Sequence, residues 1–160
     1  MNYAVLALGS NVGNRREFLV RAISALDDIA RVVAKSKIYE TAPWGYAQQR
    51  NFLNAAIGIE TVCAPLELLE YCKLVERRLG RVKTFENGPR EIDLDIIFYG
   101  GESYCDDNLC IPHKRWRERD FVVTPLLDLL DSGFFDDEVF VEHKKILKTM
   151  SRLCSPFSAF

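Results

Sequence analysis

The run Gly88-Pro89-Arg90-Glu91-Ile92-Asp93-Leu94-Asp95-Ile96-Ile97-Phe98 constrains this chain more than any other stretch. Read as a strand, it places Ile92, Leu94 and Ile96 on one face and Asp93 and Asp95 on the other. Two carboxylates two positions apart on one face stand roughly 6–7 Å apart along the strand. That separation suits oxygen ligands converging on one or two hard cations. Gly88-Pro89 sets a turn just before the strand, and Arg90 enters beside the acids as a fixed positive charge. An isolated Asp-x-Asp also suits an edge strand with a solvated acidic face. Here the apolar run Ile96-Ile97-Phe98 and the closing Gly100-Gly101 argue for a buried strand. A buried carboxylate pair needs a partner, and a metal ion meets that need.

Composition narrows the classes open to such a strand. The chain has 160 residues, 48% of them hydrophobic, so residues 1–160 read as a single domain with one real core. A formal net charge of -2 provides no global basic field for nucleic acid or an anionic membrane. The five cysteines (Cys63, Cys72, Cys105, Cys110 and Cys154) form no Cys-x-x-Cys pair, and Cys105 and Cys110 lack the His spacing of a zinc site. Reduced thiols and a cytoplasmic location are expected. The first residues show no basic flank and apolar core of a signal peptide, and no window reaches membrane-spanning length.

Around the acidic strand the chain alternates between periods of two and 3.6. Tyr3 to Leu8 is an apolar run of strand length ended by Gly9-Ser10-Asn11. Asn14 with Glu17 three residues on predicts a capped helix carrying Phe18, Leu19, Ala22, Ile23, Leu26 and Ile29. The turn between them lacks Gly-x-Gly-x-x-Gly and the Lys-Ser/Thr ending of a P-loop; it either lines a site or simply joins strand to helix. Val32 to Glu40 predicts a second strand, followed by a rigid aromatic loop, Thr41-Ala42-Pro43-Trp44-Gly45-Tyr46. Phe52 to Glu60 predicts a third. Its parity puts Leu53, Ala55, Ile57 and Ile59 on one face and Phe52, Asn54, Ala56 and Gly58 on the other. A floor of small residues with one aromatic and one amide suits a flat heteroaromatic ring, unless Asn54 is tied to nearby backbone.

Pro65 opens a helix with Leu66, Leu68, Leu69, Cys72, Val75 and Leu79 as its buried stripe, and Gly80 stops it. Strand, helix, strand, strand, helix, strand is the ferredoxin-like βαββαβ order, an α+β fold with an antiparallel sheet and both helices on one face. A C-terminal extension follows. It holds an extended Leu109–His113, a helix over Phe121–Leu130 started by Pro125, a small strand at Val139–Val141 and a last helix over Ile146–Leu153. His143, among lysines, reads as surface. Arg81, Lys83, Arg90, His113, Arg115, Arg117 and Arg119 flank the acidic strand, and cations ringing metal-holding carboxylates are what a polyphosphate substrate requires. Residues 114–119 alone also read as a solvated charged face.

Asn87-Gly88-Pro89-Arg90-Glu91-Ile92-Asp93-Leu94-Asp95-Ile96-Ile97 resembles the signature of the 6-hydroxymethyl-7,8-dihydropterin pyrophosphokinase family of folate synthesis. Leu8-Gly9-Ser10-Asn11, Tyr39-Glu40-Thr41-Ala42-Pro43, Phe52-Leu53-Asn54-Ala55-Ala56, Glu76 with Gly80-Arg81, and Ile111-Pro112-His113 extend the likeness in register over residues 3 to about 130. The resemblance implies a ferredoxin-like fold and transfer of pyrophosphate from ATP, the co-substrate, to the pterin hydroxymethyl, releasing AMP. It implies two Mg2+ ions held by Asp93 and Asp95, with Arg81, Arg90 and Asp95 in catalysis. Pterin would lie between Phe52 and Phe121, near Asp93, with Asn54 and the Thr41, Ala42, Pro43 and Trp44 backbone reading its amide edge. Glu76, Arg81, Lys83, Arg90, Ile96, His113 and Arg119 match positions that meet ATP, and Asn108, Cys110 and Lys114 match positions near the nucleotide. Members also occur fused to dihydropteroate synthase or dihydroneopterin aldolase, which implies a functional link to those enzymes.

The chain departs from the family pattern at Glu86, where a basic residue is usual, at Asn87, where some members carry an aromatic, and at Lys114, where an aromatic often follows the His. The loop from Arg81 to Pro89 has only Val82 and Phe85 as apolar side chains and is expected to be a mobile lid, with Glu86 facing solvent when it closes. The rival reading is a binding module on the same fold, sensing a metal or ligand or recognising RNA. RNA recognition lacks its Lys/Arg-Gly-Phe/Tyr signature here, and a sensor has no need of the arginine ring.

Overall fold

The computed structural model describes residues 1–160. Strand β1 (Asn2–Ser10) leads through Asn14, whose side chain accepts the Glu17 N–H at 3.1 Å, into helix α1 (Arg15–Ala25). Strands β2 (Ala30–Lys35), β3 (Ile38–Thr41) and β4 (Phe52–Thr61) precede helix α2 (Pro65–Arg78), and β5 (Asp93–Tyr99) carries the two acids. A short hairpin, β6 (Tyr104–Cys105) and β7 (Cys110–Ile111), is followed by α3 (Asp120–Asp131), α4 (Val141–Leu147) and β8 (Ser155–Ser158).

Every pairing in the main sheet is antiparallel, in the order β5-β1-β4-β3-β8, with β2 also on β4. The expected second strand is broken in two. At the break Ser36 turns its hydroxyl to the Ala56 N–H (2.9 Å), and the Lys37 N–H goes to the Asp128 carboxylate (3.0 Å). Side-chain acceptors thus replace two rungs that a continuous strand would have supplied from backbone.

Strand parity divides the core. Leu53, Ala55, Ile57, Ile59, Leu94 and Ile96 pack on α1 and α2, as alternation required. Each such side chain removed from water contributes about 1.5–3 kcal/mol. Leu66, expected in this stripe, lies on the surface instead. The opposite face is covered by the C-terminal extension, so helices lie on both sides of the sheet: α1 and α2 on one, α3 and α4 on the other. Phe134 rests on Gly58, where a Cβ would come within 2.3 Å of its ring; only glycine admits so close an approach.

The extension differs from expectation in three places. Val139 begins no strand; Asp137 accepts its N–H at 3.0 Å and starts a 3-10 turn over Glu138–Phe140. The last helix is Val141–Leu147, earlier than expected, and the chain then returns as β8 to cover the β3 edge. His143 is buried rather than at the surface, with its ring 4.1 Å from that of Phe98. No helix is long and apolar enough to cross a membrane.

Candidate active site

A bulge aims the acidic strand. Val5 pairs with Phe98 and Leu6 with Ile96, leaving Ile97 as an extra residue on β5. Ile97 and Phe98 therefore both enter the core on the C-terminal side, and the Ile97 carbonyl accepts the His113 N–H at 3.0 Å. This ties the start of the basic 113–119 segment to the strand that carries Asp93 and Asp95. The two carboxylates project from the face opposite Leu94 and Ile96 and line a cleft of about 610 Å3, within the range of small-molecule sites.

On the β5 side of the cleft, charges are paired. Arg81 Nη1 donates to Glu76 Oε2 (2.6 Å) and to Asp93 Oδ1 (3.0 Å), and Arg90 Nη1 donates to Asp93 Oδ2 (3.1 Å). Glu76 is buried and also accepts the Leu94 N–H at 2.9 Å, which locks the end of α2 to β5. Burial raises its carboxyl above the ordinary range, and Asp93 adds to that. Burial works against the charge of Arg81, but Asp93 and Glu76 raise its pKa overall. Asp95 takes part in no ion pair; burial first, then the charges of Asp93 and Glu76, push its carboxyl up to about 7. The site is short of positive charge at Asp95 in particular.

That deficit is the test of a metal. No three His, Cys, Asp or Glu side chains converge on one point, so the protein offers no closed cage. Two carboxylates with room beside them are the oxygen-only, incomplete donor set that suits Mg2+ shared with phosphate and water. The residues present fit the ion.

Gly9 on β1 pairs with Asp93 on β5 and with Asn54 on β4, so the amide and the acids flank one strand. Asn54 on β4 is buried, and its Nδ2 donates to Thr41 Oγ1 at 2.5 Å. Its Oδ1 packs where a side chain on Gly9 would stand, 2.9 Å from an ideal Cβ. The amide is thus held by a neighbouring strand's side chain, not by local backbone. Phe52, Ala42, Trp44 and Phe121 line the cleft beside it.

Ile96, Asn108, Cys110, His113, Lys114 and Arg119 also reach the cleft, as does Arg115. Burial, then the charge of Arg119, lowers the His113 pKa. Its Nδ1 accepts the Arg115 N–H at 3.2 Å, which leaves Nε2 as the donor of a neutral ring. Thr41 acts through Asn54, while Pro43 and Lys83 stand outside the lining. Arg117 packs on Trp116 rather than at the acids. Glu86, expected to face solvent, is exposed but borders the cleft. Cys105 and Cys110, expected as free thiols, face each other across the β6–β7 pair with their sulfurs side by side.

Sequence reading missed two positioning residues. Asn11 donates to Gln49 Oε1 and Arg50 O (both 2.9 Å) and accepts the Arg90 N–H (2.9 Å). Gln49 in turn donates to Asn87 O at 2.6 Å. Tyr46 and Phe85 meet edge to face at 5.0 Å, so the 81–90 loop has a partner that its own composition did not reveal. The Gly9-Ser10-Asn11 turn was the available signal for Asn11.

Residues 5–131 match the 7,8-dihydro-6-hydroxymethylpterin-pyrophosphokinase (HPPK) family. The chain is 44% identical over 131 residues to the 2-amino-4-hydroxy-6-hydroxymethyldihydropteridine pyrophosphokinase of Methylorubrum extorquens, covering 81% of this chain and 83% of that one. With the enzyme of the same name from Bacillus subtilis it shares 43% over 130 residues, 80% of this chain and 78% of the other. A mitochondrial folate synthesis bifunctional protein of Arabidopsis thaliana is 45% identical over 136 residues, 84% of this chain but 24% of its own. Among solved structures, Plasmodium falciparum HPPK-DHPS with pteroate superposes with a TM-score of 0.62 at 15% identity, over 79% of this chain and 38% of that one. At that identity the structural likeness speaks for the fold.

Proposed function

Because the chain belongs to the 7,8-dihydro-6-hydroxymethylpterin-pyrophosphokinase family, and so is a pyrophosphokinase of folate synthesis, we propose how its cleft divides the work of that reaction. The strand order supports reading β1 to β5, with β2 and β3 as one broken strand, as the ferredoxin-like unit. Asp93 and Asp95 would hold two Mg2+ ions, which would supply positive charge to the phosphates of ATP.

The protein's own groups do the rest. Arg81 and Arg90 exchange part of their pairing with Asp93 for the phosphates, where charge grows as AMP leaves. Neutral His113 presents an N–H donor beside them. Asn54, with its amide preset by Thr41, reads the pterin ring edge, and Phe52 and Phe121 sandwich the ring. The loop 81–90 closes over both substrates and excludes water that would otherwise hydrolyse ATP. The fused Plasmodium falciparum HPPK-DHPS supports a functional link to dihydropteroate synthase, and a link to dihydroneopterin aldolase rests on the sequence resemblance alone.

One observation carries this reading: Asp95, a half-buried carboxylate lining the cleft in no ion pair, beside two arginines already paired to its neighbour Asp93. The test is AMP release by the purified protein. AMP should appear only when ATP, Mg2+ and the hydroxymethyl pterin are all present, in step with pterin diphosphate. ADP as the product would contradict pyrophosphoryl transfer.

A further inference from the structure

The loop after β3 carries the indole of Trp44 into the same cleft as two guanidinium groups from the turn before α3. Arg119 Cζ lies 4.7 Å from the Trp44 ring centroid, and Arg115 Cζ lies 5.5 Å from it. Arg119 also sits over Phe121, at 5.7 Å. Arg81 and Arg90 are ion-paired, whereas Arg115 and Arg119 form no ion pair. Arg119 Nε is buried with no hydrogen-bond partner. These two arginines are therefore held by ring faces, which attract the cation while leaving its N–H donors unengaged.

The two sides of this contact come from different elements. Trp44 stands on the loop after β3 and Arg119 just before α3, and both line the cleft. We propose that Trp44 is a positioning residue for the nucleotide: its indole holds Arg119 and Arg115 so that their free N–H donors face the phosphates of ATP. This rests on the pyrophosphokinase reading of the cleft. It adds that a side chain on the pterin-side loop sets affinity for the other substrate. A freely rotating guanidinium would have to be ordered on each binding event, and the ring removes part of that cost.

The consequence is a split between binding and chemistry. Trp44→Leu keeps bulk but loses the π face, while Trp44→Phe keeps a smaller one. Calorimetric titration with Mg2+ and an α,β-methylene analogue of ATP should show Trp44→Leu binding about ten-fold more weakly, with Trp44→Phe between it and the parent. In steady state the ATP KM should rise in the same order, and by a larger factor than the KM for pterin. Arg119→Met should cost less in the Trp44→Leu background than in the parent, because the two side chains act together. Unchanged analogue binding in Trp44→Leu overturns the proposal, as does a loss confined to pterin. If the parent releases no AMP, the pyrophosphokinase reading fails, and the analogue titration still decides whether Trp44 orders the arginines.

Discussion

In the cleft Asn54 sits on a central strand with its amide already bonded to Thr41, whereas Arg81 and Arg90 are bonded to Asp93. The first arrangement leaves little to rearrange when a ring arrives. The second must change partners, because cations bound to a carboxylate cannot also surround a triphosphate without loosening their present pairs. The difference follows from where each group is anchored. Asn54 lies between paired strands, whereas Arg81 and Arg90 bound a loop with Val82 and Phe85 exposed. In the proposed function, ring recognition rests on the sheet and charge recognition on the loop that Arg81 and Arg90 bound.

The contrast breaks most visibly at the acids. Asp93→Asn and Asp95→Asn should each lower turnover by about a hundredfold or more with the fold intact, because a neutral amide cannot hold a divalent cation by charge. Near-normal turnover at moderate Mg2+ in either variant would remove the metal assignment. Asn54→Ala should weaken pterin binding by roughly 1–3 kcal/mol, leaving ring donors or acceptors unpaired. ATP affinity measured without pterin should hardly change; an equal loss for both ligands would make Asn54 structural.

Smaller effects sharpen the comparison. Amide exchange at residues 82–88 should slow when a non-hydrolysable ATP analogue and pterin bind together, and equal exchange in both states would eliminate the lid. Glu86 borders the cleft where phosphate would enter, so Glu86→Lys should tighten ATP by about two- to five-fold, an effect that fades in high salt. Outside the cleft lining, His143 offers a control. Burial lowers its pKa, so the unfolded chain binds its proton more readily than the folded one. Its contribution is fully present above the ordinary His pKa and is lost as pH falls through the folded value. His143→Leu should therefore flatten the loss of stability on acidification, read from urea midpoints, while leaving substrate affinities alone.

Much of this was legible where local periodicity decides the outcome. The parity of β4 and β5 placed Asn54 and both acids on one side before any coordinate, because a strand that buries Leu53 and Leu94 has no choice about its other face. What escaped was decided by distant partners. Val32 to Glu40 alternates well enough for one strand, but Asp128 takes the Lys37 N–H from ninety-one positions away. The burial of His143 left a trace that charged neighbours masked: Phe140, His143 and Leu147 recur at helical spacing and are all buried. The cysteine pair needed the hairpin, closed by the Asp106 N–H to the Leu109 carbonyl, to bring Cys105 opposite Cys110. Nothing near Trp44 in the sequence announces the arginines that its ring holds.

The account turns on Asp95 as a carboxylate waiting for a cation that arrives with the nucleotide. Binding of Mn2+ in place of Mg2+, followed by its electron paramagnetic resonance signal with the α,β-methylene analogue and pterin present, tests this directly. The parent should hold two ions when both ligands are bound and neither tightly without them, and Asp95→Asn should lose at least one. Equal Mn2+ occupancy in Asp95→Asn and the parent would contradict the account.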